Sequence, residues 1–153
     1  MDRLRLIEAF EHNDLNAVQA LIEDDSEYEL LTQPLFDNGY LALHLASLHG
    51  SVSIIEYLLS KLSLEAINQP NDIGETPLFC AAKHGHAQLV YYYVTKGAIL
   101  HTRIHAPGQS HHGLSALFCA LERNHYSVVK ILIAAGALRA HALFDQPERC
   151  FLL

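Results

Sequence analysis

The chain has 153 residues, half of them apolar, and a formal charge of −7. A length of this order suits one domain that buries roughly 68–70% of its unfolded surface. The negative balance argues against nucleic acid as the main ligand, and no apolar run reaches the ~18 residues of a membrane-spanning helix. The charge is also lopsided. Residues 1 to 37 hold ten acids and two bases, whereas the remainder holds seven acids and eight bases. The densest acidic stretch is EDDSEYE, 23 to 29. The opening MDRLRLIEAFEHND is charged every few residues, unlike a signal peptide. Three cysteines, Cys80, Cys119 and Cys150, form no C-x-x-C pair. An odd count in a chain with a real core favours a reducing compartment. A soluble, intracellular protein is expected.

Four units follow one another along the chain, and each turns about one residue. The first unit, 1 to 36, turns at Asn13; the second, 37 to 70, at Gly50; the third, 71 to 109, at Gly85; the fourth, 110 to 140, at Asn124. Residues 141 to 153 form a tail. The separations between turns are 37, 35 and 39 residues. Seven residues before each turn stands a leucine (Leu6, Leu43, Leu78, Leu117), and four before stands an alanine (Ala9, Ala46, Ala81, Ala120). Five after comes a β-branched residue (Val18, Ile55, Val90, Val129). Eight after come Leu21, Leu58, Tyr93 and Leu132, and nine after come Ile22, Leu59, Val94 and Ile133. Spacings of three and four mark amphipathic helices. The Gly or Asn column is a helix stop, because those two types best tolerate the left-handed conformation. Each unit therefore reads helix, tight turn, helix, with alanine letting neighbouring first helices approach closely.

The helix starts differ in strength. In the second unit Leu41-Ala42 offers no capping side chain. In the third, Thr76-Pro77 supplies a hydroxyl cap and then a ring at the first helical position. Ser115-Ala116 is a weaker version in the fourth. Gly97 and Gly136 close the second helices of the last two units; the first two lack that glycine, so irregular ends are expected around 24 to 36 and 60 to 70. One such helix pair cannot bury its own apolar stripe, but stacked units can.

Residues NDIGETPLFCAAKHGH, 71 to 86, closely resemble the ankyrin repeat, with its turn, T-P-L, A-A and G-H. Residues LALHLASLHGS, 41 to 51, keep the L-H-x-A portion. The resemblance covers nearly the whole chain, strongest in the third unit and weakest in the first. It departs from the family where Phe79 and Phe118 replace histidine, Ala42 and Ala116 replace proline, and Ile99 and Leu138 replace the aspartate after G-A. The resemblance implies an all-α solenoid of about four helix-turn-helix units with short β-hairpin fingers, spanning 1 to 153 as a single domain. Its divergent first unit would serve as a solvent-facing cap. The stretch HTRIHAPGQSHHG, 101 to 113, exceeds the repeat period where the family places a finger, and reads as an extended one.

Several motifs carry a chemical reading beside a structural one. His101, His105, His111 and His112 fall within twelve residues and could ligate zinc or copper. No cysteine or carboxylate joins them at ligand spacing, so an exposed polar loop is the plainer reading, and no metal or other cofactor is expected. Gly108 and Gly113 have phosphate-loop spacing, but Leu114 stands where lysine is needed and no strand precedes it. Cys80 and Cys119 share one repeat column and read as small core residues. Tyr91, Tyr92 and Tyr93 cannot all be buried on one helix, and Tyr93 is the one in a core column. The resemblance gives His44 and His86 structural roles. The final CFLL reads as C-a-a-X with Cys150 as lipid acceptor, although no polybasic run precedes it. The alternative is a truncated fifth repeat or a frayed tail, its apolar end packed on the fourth unit.

Three functional readings follow. The favoured one is a non-catalytic, monomeric interaction module that holds a protein partner. Carried over residue by residue, the family's concave contact positions are Asp37, Asn38, Tyr40, Leu48 and His49 in the second unit. The third contributes Asp72, Ile73, Glu75, Lys83 and His84, and the fourth His111, His112, Leu114, Glu122 and Arg123. The second reading is the same module anchored to a membrane through Cys150, or an effector delivered into a host. The third is an enzyme or metal carrier built on the histidine-rich finger.

Overall fold

The computed structural model of the chain describes residues 2–22, 31–104 and 114–137. Among these the regular elements are helices, and no strand occurs. They are α1 (Asp2–Glu11), α2 (Leu15–Leu21), α3 (Ala42–His49), α4 (Val52–Lys61), a 3-10 turn (Leu64–Asn68), α5 (Pro77–Lys83), α6 (Ala87–Thr95), α7 (Ala116–Glu122) and α8 (Tyr126–Ala134). The four pairs α1–α2, α3–α4, α5–α6 and α7–α8 are helical hairpins.

The residue between the helices of each pair is left-handed, as the Gly/Asn column requires. Gly50 and Gly85 have φ of 77° and 79°, and Asn13 and Asn124 have φ of 55° and 61°. Gly97 and Gly136, past the last two outer helices, are also left-handed. Irregularity after α4 takes the form of the 3-10 turn at Leu64–Asn68.

The helix starts follow local chemistry. Thr76 Oγ1 accepts from the N–H of Phe79, with Pro77 at the first helical position. Ser115 makes no such bond at the start of α7. The start of α3 is firmer than Leu41-Ala42 implies, because His44 reaches back and its Nδ1 accepts from the Leu41 N–H at 3.3 Å. Asp14 caps α2 and Ser51 caps α4.

The hairpins stack in two layers. The first helices form one row, α1 on α3, α3 on α5 and α5 on α7; the second helices form the other, α2 on α4, α4 on α6 and α6 on α8. The core lies between the rows and runs unbroken through all four units. The leucine and alanine columns are buried in every unit, as is the β-branched column. The last apolar column is buried at Ile22 and half-buried at Leu59 and Val94, but exposed at Ile133. Tyr93 is fully buried, and its O–H donates to Ser47 Oγ at 2.6 Å while Ser47 donates to the Leu43 carbonyl.

The fingers are tighter than hairpins of strand. Leu35 N–H bonds the Tyr40 carbonyl at 2.7 Å, and Asn71 N–H bonds the Glu75 carbonyl at 2.9 Å, each closing a turn. The two turns are joined through Asp72 N–H to the Asn38 carbonyl at 3.3 Å. Ile104 N–H bonds the Leu114 carbonyl at 3.2 Å, which ties together the two ends of the long third connection. Turn bonds of this kind satisfy the backbone without a ladder.

Candidate interaction surface

The positions expected to meet a partner divide by burial. Asp37, Asn38 and Asp72 are exposed at the turn tips; His49, His84, Glu122 and Arg123 are exposed at the ends of the first-row helices. Leu48, Ile73 and Lys83 are half-buried beside them. Tyr40, Glu75 and Leu114 are 8%, 1% and 5% exposed. These three are not on the accessible surface and hold it from beneath. Tyr40 and Leu114 belong to the packed interior, so their truncation would open cavities rather than silently delete a contact. His111, His112 and Cys150 lie outside the described residues, as do His105 and the phosphate-loop glycines.

Glu75 organises the ground under the surface. Its carboxylate accepts from the Tyr40 hydroxyl, from Asn71 Nδ2 at 3.3 Å and from Lys83 Nζ at 2.9 Å. Asn71 Oδ1 in turn accepts from the N–H of Ile73 and of Glu75, which shapes the turn. Burial alone would raise the Glu75 pKa. The bonds from Tyr40, Lys83 and Asn71, with the Lys83 charge, outweigh it and hold the carboxyl below its usual value. Burial, and then the bond to Glu75, raise the Tyr40 phenol. A buried carboxylate is tolerated because its lone pairs are occupied and a cation faces it.

His44 ties the second unit to the third. Its Nδ1 accepts from Leu41, so Nε2 carries the proton and donates to the Glu75 carbonyl at 3.0 Å. A second proton would have to sit against the Leu41 N–H. Burial pushes the imidazole pKa down to about 4, against the opposing effect of its bonds to backbone carbonyls.

Two further histidines latch one unit to the one before. His86 Nε2 donates to the Leu48 carbonyl at 2.6 Å, and His125 Nε2 donates to the Lys83 carbonyl at 3.2 Å. Each ring lies against the preceding unit's turn glycine. A Cβ on Gly50 would meet His86 Nδ1 at 2.4 Å, and one on Gly85 would meet His125 Nδ1 at 2.7 Å. The glycines are thus needed twice, for their left-handed φ and for the ring above them. Sequence reasoning gave His86 a structural role and overlooked His125, although both stand one place after a turn residue.

Cys80 and Cys119 are buried free thiols, each raised in pKa by burial first, which disfavours the reactive thiolate. No group of three or more His, Cys, Asp or Glu side chains among the described residues could hold a metal ion. A shallow groove of about 430 Å³ between α1 and α2 is lined by Arg5, Glu8, His12, Asp14 and small apolar residues. No helix among the described residues is long and apolar enough to cross a membrane.

Comparison with known proteins agrees with this architecture. Residues 61–141 match the family model described as "Ankyrin repeats (3 copies)", and residues 6–59 match "Ankyrin repeats (many copies)". The human photoreceptor ankyrin repeat protein is 37% identical over 87 residues, covering 54% of this chain and 19% of that protein. The human transient receptor potential cation channel subfamily A member 1 is 26% identical over 91 residues, covering 60% of this chain and 8% of the channel. The chain thus spans less than a fifth of either relative.

Proposed function

Because the chain belongs to the ankyrin-repeat family, whose repeats are protein–protein interaction modules, we propose that it is a non-catalytic, monomeric adaptor that holds a partner protein on one face. That face comprises the turn tips and the ends of the first-row helices. One observation supports the choice. At equivalent positions, Leu48-His49, Lys83-His84 and Glu122-Arg123 project half-buried or exposed side chains beside the exposed turn residues Asp37, Asn38 and Asp72. The surface mixes apolar, acidic and basic groups over a layer fixed by Glu75 and His44. A rigid layer under an adaptable surface limits the ordering cost of binding. Two such tips and three helix ends offer room for a partner of ordinary size, about 800 Å² per side.

The test compares faces. Asp72→Arg with Ile73→Ser alters the proposed surface without touching Tyr40, Glu75 or Leu114. Tyr91→Ser with Tyr126→Ser alters the outer helices, where these tyrosines are 61% and 63% exposed. Partner capture from cell extract should fail for the first pair and persist for the second, with circular dichroism unchanged in both. Loss only with the outer pair overturns the reading.

A further inference from the structure

The residue just before each turn is a base in all four units: His12, His49, His84 and Arg123. This regularity stands out in a chain with 17 acids and 10 Lys and Arg. All four residues are exposed. His49 is the last residue of α3, His84 and Arg123 are the C-caps of α5 and α7, and His12 follows α1. The first-row helices stack in order, so their ends form one line of bases along the face proposed above.

The line carries no matching line of acids. The groups that act on His84 are Lys83 on its own helix, His86 from α6, Arg123 from α7 and His49 from α3; all are bases. Burial first, and then these neighbours, hold the His84 pKa below its usual value. The His84 ring also lies parallel to that of His86, 10° between planes and 6.2 Å between centroids. His12 shares its groove with Arg5, Glu8 and Asp14, and its Nδ1 donates to the Glu8 carbonyl at 2.8 Å. Asp14 is already engaged in capping α2, and Glu75 in holding Lys83. Arg123 lies beside Glu122 and bonds the Cys119 side chain. The acids Glu11 and Glu122 border the two ends of the line, while its middle members border Leu48 and Lys83. Charge gained at His84 therefore adds to a surrounding that is already basic.

We propose that this line of bases is the docking ridge for an extended acidic segment of a partner protein, and that binding tightens as pH falls through the histidine range. The proposal rests on the face assigned above and names the partner's chemistry. Neighbouring packed helices lie roughly 8–10 Å apart. A polyproline-II segment advances ~9 Å per turn of three residues and returns each third side chain to one side. An acid at every third position of such a segment would face one base per unit. Histidine supplies the pH response, since an imidazole ordinarily gains its charge between about pH 5 and 8, and burial with its basic neighbours moves that gain at His84 to lower pH.

The test uses the full chain and synthetic peptides. One carries four Glu residues at every third position in a proline-rich background; a second has the same composition with the four Glu adjacent. A single-stranded oligonucleotide of equal charge is the third ligand. Affinity by fluorescence anisotropy should favour the spaced peptide, and should be severalfold tighter at about pH 5.5 than at about pH 7.5. His49→Gln with His84→Gln should lose most of that pH dependence, with circular dichroism unchanged at both pH values. Equal binding of both peptides, a flat pH profile, or stronger binding of the oligonucleotide overturns the proposal. If the peptides fail while partner capture still depends on Asp72 and Ile73, the ridge is refuted and the adaptor face stands. If capture is also indifferent to those residues, both fall.

Discussion

Replacing Glu75 with alanine tests the buried network directly. The carboxylate is 1% exposed and accepts from Tyr40, Asn71 and Lys83. Its removal leaves a phenol and an amide without their acceptor and an ammonium without its counter-ion. Breaking a buried ion pair costs about 3–5 kcal/mol. The Lys83 side chain is 19% exposed and can swing its head toward water, which places the expected loss near the lower end, ~3 kcal/mol. For a domain of this size that lowers Tm by about 6–12 °C. Glu75→Gln keeps the shape and one acceptor oxygen but removes the charge, and should cost about 1–2 kcal/mol. Urea unfolding at pH 7, followed by circular dichroism, gives both values if the slope m is unchanged. The sign with pH is fixed by the depressed carboxyl. Its contribution is complete above the unfolded pKa, ~4.3, and vanishes as pH falls through the folded value, so wild type and Glu75→Ala should converge in acid. A loss under about 1 kcal/mol for Glu75→Ala, or equal losses for the two variants, would refute the network's role.

Three other outcomes are expected. His44 is neutral when folded, with its pKa near 4, while the unfolded ring titrates near ~6.5. The unfolded chain therefore binds more protons between these values. Stability is complete above the upper one and falls toward the lower by about 1.4 kcal/mol per pH unit; His44→Gln should flatten most of that limb in a series of urea midpoints against pH. Gly50→Ala adds a clash with His86 to a left-handed strain, whereas Gly97→Ala meets nothing within 4 Å. Thermal melts should show a loss of about 1–2 kcal/mol for Gly97→Ala and a clearly larger one for Gly50→Ala. Tyr93→Phe leaves Ser47 without its donor in the core and should lower stability by about 1 kcal/mol in the same melts.

The repeat was legible because its columns obey simple physics. Leu78, Ala81 and Val90 and their counterparts recur at helical spacing and are buried. Asn13 and Asn124 substitute for glycine where φ is positive, and both prove left-handed. The site was less legible. Tyr40, Glu75 and Leu114 occupy one column, ten residues before each turn, and all three point inward. Two apolar members of three were the available signal, but a glutamate in the column masked it, since carboxylates are rarely buried unless paired. Its partner Lys83 lies eight residues after it, but Tyr40 lies 35 before, in the preceding unit, a pairing that one unit's pattern does not contain. The His44 cap was hidden for a similar reason. A histidine at the third helical position serves as an acceptor when its proton sits on the other nitrogen, and the carbonyl that holds the proton there belongs to Glu75 in the next unit.

The latching histidines also give the stack a direction. His86 and His125 each clasp the turn behind them, but Ser51, in the same place one unit earlier, spends its hydroxyl on the start of its own helix. Among the described residues, the joint between the first and second hairpins thus lacks the fastener that binds the other two. Under mechanical load or mild denaturant the protein should peel from that side, shedding one hairpin while three remain clipped together.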